Sequence, residues 1–187
     1  MRLDRYTQGS YTPGAPLWQQ ALWYLLGQPL LQNYWLPYSP LKATLLRCFG
    51  AQIGTAVTIK PGVRVKFPWR LSVGDWSWLG ERAWLDNLAT VTIERHVSVS
   101  QGAYLCTGNH DWRDPHFRLI TAPITLREGS WIAACAVVGP GVTVERGAVL
   151  GLGSVAAQSL APMTVYQGNP AQPVRERRVA AEGDSAS

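Results

Sequence analysis

The sequence predicts an all-β fold, a left-handed parallel β-helix with short N-terminal helices. From Ile53 onward, aliphatic residues recur every six positions, which indicates a stack of short repeated units. The composition agrees, because only 16% of the residues are charged while 18 glycines and 13 prolines supply turns. With 187 residues, 47% of them apolar, the chain is long enough to bury one core and short for two domains.

Residues 1–50 are expected to form a helical cap. The segment after Pro16 has apolar residues at helical spacing, namely Trp18, Ala21, Leu22, Leu25 and Leu26. A second helix is predicted to begin at Ser39, which is a suitable N-cap. It should end near Gly50, because glycine readily takes the left-handed conformation that follows a helix.

Residues 51–174 are expected to form the β-helix. In the clearest run, the first position of each six-residue block is aliphatic, and these positions are Leu126, Ile132, Val138, Val144, Leu150 and Ala156. The fifth positions hold small or modest residues, namely Ser130, Ala136, Val142, Ala148 and Ser154. A six-residue period matches neither the 3.6 of a helix nor the alternation of a long strand. It fits coils in which each block is a short strand plus a corner, with the aliphatic residue pointing inward.

Glycine often occupies the second position of a block, at Gly54, Gly74, Gly80, Gly139 and Gly151. Such a position requires either a positive φ angle or close approach of another backbone segment. The two ends of a β-helix need covers, so the N-terminal helices and the C-terminal residues should provide them. Residues 175–187 are expected to form a flexible tail. A β-sandwich is the alternative fold, and successive in-phase blocks argue against it.

The six-residue period breaks at length only between Leu105 and Leu126. The intervening residues are rich in Gly, Asn, Asp and Pro, which indicates a long loop of the kind that often carries function. His110 lies near the base of this loop. An imidazole is suited to take a proton from an alcohol during nucleophilic attack, so His110 is the candidate general base. His116 is expected at the surface, and His96 at a corner of a coil.

Four stretches together resemble the hexapeptide-repeat acyltransferases, in particular the colanic-acid-biosynthesis type within the maltose and galactoside acetyltransferase group. They are PWRLSVGDWSWLGERAWLDN, SQGAYLCTGNHD, VVGPGVTVERGAVLGLGSV and VYQGNPAQPV, and the similarity runs from about Cys48 to Arg178. The resemblance implies an O-acetyltransferase that moves acetyl from acetyl-CoA to a sugar hydroxyl in exopolysaccharide biosynthesis. It further implies a homotrimer with active sites between neighbouring copies, direct transfer without an acyl-enzyme, and no required metal.

The resemblance also assigns site residues. His110, in TGNHD, matches the catalytic histidine. Asp86 and Asn87 match positions that hold the acceptor sugar, although Asp and Asn are equally well explained as turn formers. Tyr104 and Asp111 are expected to flank the same cleft and to orient either the ligand or the histidine.

For the donor, the resemblance places coenzyme A along the wall of the C-terminal coils. The matching positions are Trp131, Ala134, Leu152, Gly153 and Arg175. Small residues and exposed backbone let an extended ligand lie close, and Arg175 can pair with a phosphate. The sequence departs from the family at Ala157 and Gln158, where a Thr-Lys pair is common, which puts one polar and one charged contact to CoA in doubt.

Three cysteines without a CxxC pair suggest neither a disulfide framework nor a zinc knuckle, and they fit a reducing, cytoplasmic compartment. The net charge of +5 is modest, and no nucleic-acid partner is predicted. Polar residues interrupt the apolar stretch from Leu17 to Leu36 too often for a bilayer span. We expect its aromatic residues to cap the β-helix, with peripheral contact at the inner membrane face as the alternative.

Two other functions compete with acetyl transfer. One is a metalloenzyme like the γ-class carbonic anhydrases, which have this architecture and hold zinc with three histidines from neighbouring subunits. The sequence has three histidines but no carboxylate–histidine pattern to orient them. The other is a non-catalytic β-helix that acts as a scaffold in a polysaccharide assembly complex, against which the intact TGNHD argues.

Overall fold

A computed structural model describes residues 3–179, and it has the left-handed parallel β-helix that the sequence predicts. The N-terminal region begins with a 3₁₀ turn at Leu3–Arg5. It continues with helix α1 at Leu17–Leu22, a π-helical turn at Trp23–Gly27, helix α2 at Gln28–Gln32 and helix α3 at Ser39–Cys48. A further 3₁₀ turn covers Pro68–Arg70.

Short strands follow α3 to the end of the described chain. In order they are β1 Gln52–Ile53, β2 Thr58–Ile59, β3 Arg64–Val65, β4 Leu71–Val73, β5 Trp78–Leu79, β6 Trp84–Asp86, β7 Val91–Ile93, β8 Ser98–Val99, β9 Tyr104–Cys106, β10 Gly108–His110, β11 Leu119–Thr121, β12 Ile124–Leu126, β13 Trp131–Ile132, β14 Val137–Val138, β15 Thr143–Val144, β16 Val149–Leu150, β17 Val155–Ala156, β18 Thr164–Gln167 and β19 Gln172–Glu176.

Apart from β10 and β11, the strands form three sheets, which are the faces of a prism. The first face has the order β1-β4-β7-β12-β15, the second β19-β18-β16-β13-β8-β5-β2, and the third β17-β14-β9-β6-β3. Strands of successive coils pair in parallel, as in Leu79 with Val99 and Val99 with Ile132. Because the chain visits the faces in the same order on every coil, each corner of the prism is a column of turns.

The interior is the aliphatic ladder that the six-residue period predicts. The first-position residues from Leu126 to Leu150 are fully buried, and Ala156 is nearly so. The small fifth-position residues Ala136 and Ala148 are also fully buried, where the three sheets converge. Burying one aliphatic side chain is worth about 1.5–3 kcal/mol, so the repeated ladder is the main stabilising feature of the fold.

The second-position glycines are needed because another backbone segment approaches closely, and not because their φ angles are positive. A Cβ added to Gly80 would lie 2.6 Å from the backbone nitrogen of Gln101 in the next coil. Positive φ angles occur instead at turn residues such as His96, with a φ of 58°. This places His96 at a corner, as predicted.

Helix α3 ends at Cys48, and Gly50 has a φ of 93°, in agreement with the predicted helix end. The predicted role of Ser39 is wrong, because the residue at the N-cap is Tyr38 and no side chain caps the helix. The Ser39 hydroxyl instead accepts a hydrogen bond from the Ile59 amide at 2.9 Å and lies 3.3 Å from the Ile59 carbonyl oxygen. It therefore joins the helix to the first coil.

The apolar residues that predict α1 are exposed, and other residues cover the β-helix end. The π-helical turn directs Trp23 inward, where its indole N–H donates to the Val65 carbonyl at 3.0 Å and its ring packs edge-on against Phe49. Gly27 makes room for it, because a Cβ there would lie 2.2 Å from the indole. Leu31 is also fully buried.

The C-terminal cover is β19, which pairs antiparallel with β18. This strand runs through Arg175 and Glu176, past the predicted domain end at residue 174. The Arg177 guanidinium then donates to the carbonyls of Gly129 and Gly147 at 2.7 and 3.0 Å. Residues 180–187 of the predicted tail lie outside the described residues.

Candidate active site

The loop that interrupts the repeat is a β-hairpin. Strands β10 and β11 pair antiparallel, with His110 opposite Leu119 and Gly108 opposite Thr121. It leaves the third face after β9 and returns to the first face at β12, so it projects from the corner between these faces.

His110 is held in one tautomer. Its Nδ1 lies 2.9 Å from the Phe117 carbonyl oxygen, and a carbonyl can only accept a hydrogen bond. Nδ1 must therefore carry the proton of the neutral ring, which leaves the lone pair on Nε2. An imidazole with a free Nε2 lone pair is suited to act as a base.

Aromatic rings fix the orientation of the imidazole. The Phe117 ring stacks on it at a centroid distance of 4.2 Å and an interplanar angle of 3°, and Tyr6 lies 5.8 Å away. Neither Phe117 nor Tyr6 was predicted from the sequence as a contact of His110. Phe117 stands seven positions after His110, a separation that becomes a contact only when the hairpin forms, and nothing in the sequence connects Tyr6 to the loop.

Asp111 does not orient His110, which corrects one of its two predicted roles. Its backbone amide donates to the Arg118 carbonyl at 2.9 Å, and its Oδ1 accepts from the Arg113 amide at 3.0 Å. These bonds shape the hairpin turn, while the Phe117 carbonyl holds the imidazole. His116 is exposed beside Asp114, whose pKa is lowered mainly by the hydrogen bond from the His116 backbone amide.

Asp86 and Tyr104 lie together on the outer side of the third face. The Tyr104 hydroxyl donates to Asp86 Oδ2 at 3.0 Å, and the Lys66 ammonium lies 2.9 Å from Asp86 Oδ1. Burial raises the pKa of Tyr104 well above its usual value, and Cys106 and Asp86 add to this effect. The phenol therefore stays protonated, and the three residues form a polar network beside the hairpin.

The structure contradicts the predicted sugar contact of Asn87. Its side chain is fully buried, and its amide exchanges two hydrogen bonds with the Phe67 backbone, at 2.9 Å from the Phe67 N–H and 2.7 Å to the Phe67 carbonyl. The Asn87 amide thus supplies the two hydrogen bonds that a neighbouring strand would otherwise make with Phe67, where the chain leaves the regular coil. The role of Asn87 is therefore structural, but it lies just before the bend at residues 88–89 and not in a turn.

Four of the five predicted donor residues line one groove of about 470 Å³, namely Trp131, Ala134, Leu152 and Arg175. The fifth, Gly153, follows Leu152 and has open space where a side chain would be. The Trp131 indole N–H donates to the Ser100 hydroxyl at 2.8 Å, which fixes this wall of the groove. Ala157 and Gln158 border a separate cavity.

The groove and His110 lie at opposite edges of the third face. Gln101, Ala134 and Leu152 belong to the turns between the second and third faces. His110 projects from the corner between the third and first faces. One face of six residues is roughly 20 Å wide at about 3.3 Å per residue, so a single chain separates these two parts of the site.

Within residues 3–179, no three His, Cys, Asp or Glu side chains form a group that would hold a metal ion. His96 and His110 lie on separate corners of the prism, between the first and second faces and between the third and first.

A parallel β-helix that carries His110 on a hairpin, with a groove at the turns between the second and third faces, is typical of the hexapeptide-repeat acyltransferases. The chain is 44% identical over 136 residues to the colanic acid biosynthesis acetyltransferase WcaF of Escherichia coli K12, a match that covers 73% of this chain and 75% of that protein. The chain therefore belongs to this family of acetyltransferases. No family model matches it.

More distant proteins have the same fold. Galactoside O-acetyltransferase of E. coli is 26% identical over 139 residues, covering 72% of this chain and 68% of that protein. The structure of a hexapeptide-repeat acetyltransferase from Vibrio cholerae complexed with acetyl coenzyme A has a TM-score of 0.80 at 22% identity, covering 95% of this chain and 98% of that one. A galactoside acetyltransferase in complex with coenzyme A has a TM-score of 0.74 at 23% identity, covering 87% and 80%.

Proposed function

We propose that this protein transfers acetyl from acetyl-CoA to the hydroxyl of a sugar in exopolysaccharide biosynthesis, with His110 Nε2 as the general base. The observation that carries the proposal is the hydrogen bond from His110 Nδ1 to the Phe117 carbonyl, which leaves Nε2 free to accept a proton. The family relationship supports both the reaction and the setting.

The reaction is a direct transfer. Nε2 takes the proton of the sugar hydroxyl as that oxygen attacks the thioester carbonyl carbon. The resulting tetrahedral intermediate collapses, the carbon–sulfur bond breaks, and the imidazolium returns the proton to the departing thiolate of CoA. The products are the sugar acetate ester and free CoA, and no acetyl-enzyme forms.

The groove supplies what the donor needs. Its turns hold the small residues Ala134 and Gly153, beside which an extended pantetheine arm can lie against exposed backbone. Arg175, held in β19, presents a guanidinium at the same groove, where it can pair with a phosphate of CoA.

We propose a homotrimer in which the groove of one copy faces the His110 of the next. The separation of the two parts across the third face supports this arrangement. Exposed aromatic residues on the second and third faces, Trp78, Trp84 and Trp131, offer apolar surface for contact between copies.

Transfer of radiolabelled acetyl from acetyl-CoA tests the reaction. We expect label in the carbohydrate fraction when sugars of exopolysaccharides or their activated precursors are added, with one CoA thiol released per acetate ester. Thiol release without labelled sugar would indicate hydrolysis only. Absence of both with a broad panel of free, nucleotide-linked and lipid-linked sugars would contradict the proposed function.

We also propose that the N-terminal helices rest on the anionic inner surface of a membrane, with the protein in the cytoplasm. The helix residues Leu17, Trp18, Leu25 and Leu26 are exposed, with 66% of Trp18 and 75% of Leu25 accessible. The charge around them fits an anionic surface, because no Asp or Glu occurs between Asp4 and Asp75. Besides the buried Lys42, the same stretch contains Arg5, Arg47, Lys60, Arg64, Lys66 and Arg70. No helix within residues 3–179 is long and apolar enough to cross a bilayer.

Vesicle co-sedimentation tests the membrane contact. We expect the full chain to bind vesicles that contain anionic phospholipid more tightly than neutral ones. Replacing Trp18 and Leu25 together with Ser should weaken binding by roughly 10-fold or more, because the apolar area that enters the lipid is lost. Trp112→Ser removes an equally exposed indole from the hairpin and is the matched control. Unchanged vesicle binding would reject the membrane contact, and a change in oligomeric state instead would assign this face to contacts between copies.

A further inference from the structure

A third cavity, of about 570 Å³, lies between the hairpin and the N-terminal strap, which we define as residues 6–14. Strap residues from Gln8 to Thr12 form one side, and Leu119 and Thr121 of β11 contribute from the hairpin. The lining includes two arginines, Arg70 and Arg118, and no carboxylate. The cavity is therefore positively charged and rich in hydroxyl groups.

Arg70 is placed rigidly at this cavity. Its guanidinium donates to the Thr12 carbonyl and to the Tyr11 hydroxyl, and it lies 5.3 Å from the Tyr11 ring centroid and 5.8 Å from that of Phe67. Within residues 3–179, no carboxylate lies within ion-pair distance of Arg70. Its charge is thus fixed in place, and no acid among the described residues neutralises it.

Arg118 faces the cavity from the hairpin. Gly9 of the strap packs against the aliphatic part of its side chain. Its guanidinium is 3.5 Å from Asp114 and 4.0 Å from Asp111, and the side chain is 56% exposed. These ion pairs are loose, so most N–H groups of Arg118 remain free to bind a ligand.

The cavity adjoins the proposed base. His110 is the cross-strand partner of Leu119, and Gly108 is that of Thr121. Directly paired residues of an antiparallel ladder project to the same side, so the His110 side chain and the cavity share one side of the hairpin. Tyr6, at the start of the strap, contacts the His110 ring at the same edge.

We propose that the acceptor sugar carries an anionic group, a carboxylate or a phosphate, which Arg70 and Arg118 bind in this cavity while a hydroxyl of the sugar reaches His110 Nε2. Planar guanidinium groups bind both anions through paired hydrogen bonds, and a neutral sugar gains nothing from the unpaired charge of Arg70. The inference rests on the proposed acetyl transfer and specifies the substrate class of that site.

Equilibrium binding tests the proposal independently of turnover. Methyl glucuronide represents a carboxylate, glucose 1-phosphate a monophosphate and UDP-glucose a diphosphate, and methyl glucoside is the neutral reference. We expect at least one anion to bind roughly 10- to 100-fold more tightly than methyl glucoside, and Arg70→Met and Arg118→Met to remove that difference. Arg113→Met, in the same hairpin but outside the cavity, should keep it.

The probe that binds most tightly identifies the anionic group of the acceptor. Preference for the glucuronide alone identifies a uronic acid, and preference for the phosphates identifies an activated sugar. Because Arg70 also holds the strap, Arg70→Lys, which keeps the charge, should retain part of the preference. If Arg70→Met does not fold, Arg118→Met carries the test.

Equal binding of all four probes by the wild-type protein would overturn the proposal, as would an anion preference that survives both arginine variants. The outcome is separable from that of the acetyl-transfer assay. Acetylation of sugars without an anion preference would leave the proposed function intact. An anion preference without transfer to any sugar would reject the proposed function and retain the binding site.

Discussion

Replacing His110 with Ala should lower kcat by about 10²–10⁴-fold, the usual consequence of losing a general base. The sugar hydroxyl is a poor nucleophile until its proton is removed, and no other described ring nitrogen is fixed at this edge of the hairpin as His110 Nε2 is. The KM for acetyl-CoA should change little, because the groove lies across the third face. Initial rates of CoA release at saturating sugar, for both proteins, measure the effect.

His116→Ala is the matched control, since His116 lies in the same hairpin with its ring exposed beside Asp114. It should have nearly wild-type activity. Comparable rates for His110→Ala and the wild type would reject the mechanism, and a shared loss in both variants would indicate damage to the hairpin itself. Acetyl trapped on the Cys106 or Cys135 thiol would replace direct transfer by a covalent pathway.

The β-helix could be predicted because its signal repeats. Each six-residue block predicts that its first residue points inward. For the in-phase blocks from Leu126 to Ala156, one geometry buries all of these first residues. The donor residues were expected from the family resemblance, and the regular repeat explains why they line one groove. Ala134 and Leu152 occupy equivalent turns of successive coils, so a ligand along one implies contact with the other.

The N-terminal region could not be predicted to the same depth, because its packing depends on contacts with strands that are distant in the sequence. Apolar residues at 3.6-residue spacing identified α1 but not its buried side. Trp23 enters the space above the first coil and bonds the Val65 carbonyl, and the π-helical turn that directs it inward leaves Trp18 and Leu25 outside. Tertiary packing here overrides the local pattern.

The site residues also differ in whether the local sequence or a tertiary contact reveals their role. His110 was identifiable because its loop breaks a strict period. Asn87 was not, because a turn-forming amide and a sugar-binding amide have the same sequence signal, and only its bonds to Phe67 distinguish them. Arg70 and Arg118 are far apart in the sequence, and the cavity between them exists only once the strap crosses the hairpin.

Replacing Ala134 with Trp should weaken productive donor binding and raise the KM for acetyl-CoA by about 100-fold or more. Ala134 lines the groove, and an indole at this turn would occupy much of a space of about 470 Å³. Ala161→Trp places the same side chain at an exposed position outside the groove, next to a turn, and is the matched control. Initial rates as a function of acetyl-CoA concentration, together with the melting temperature, separate a blocked groove from a misfolded chain.

The two inactive variants together test the shared site. If each site combines the groove of one copy with the His110 of its neighbour, co-expressed His110→Ala and Ala134→Trp chains create some boundaries with both parts intact. Random assembly at equal amounts leaves about a quarter of all sites intact, with one intact site in each mixed trimer. Activity of that order in the co-purified mixture, against almost none in either variant alone, is the expected result. An inactive mixture whose trimers contain both chains would mean that each chain completes its own site, and a stable monomer at micromolar concentration would reject the trimer.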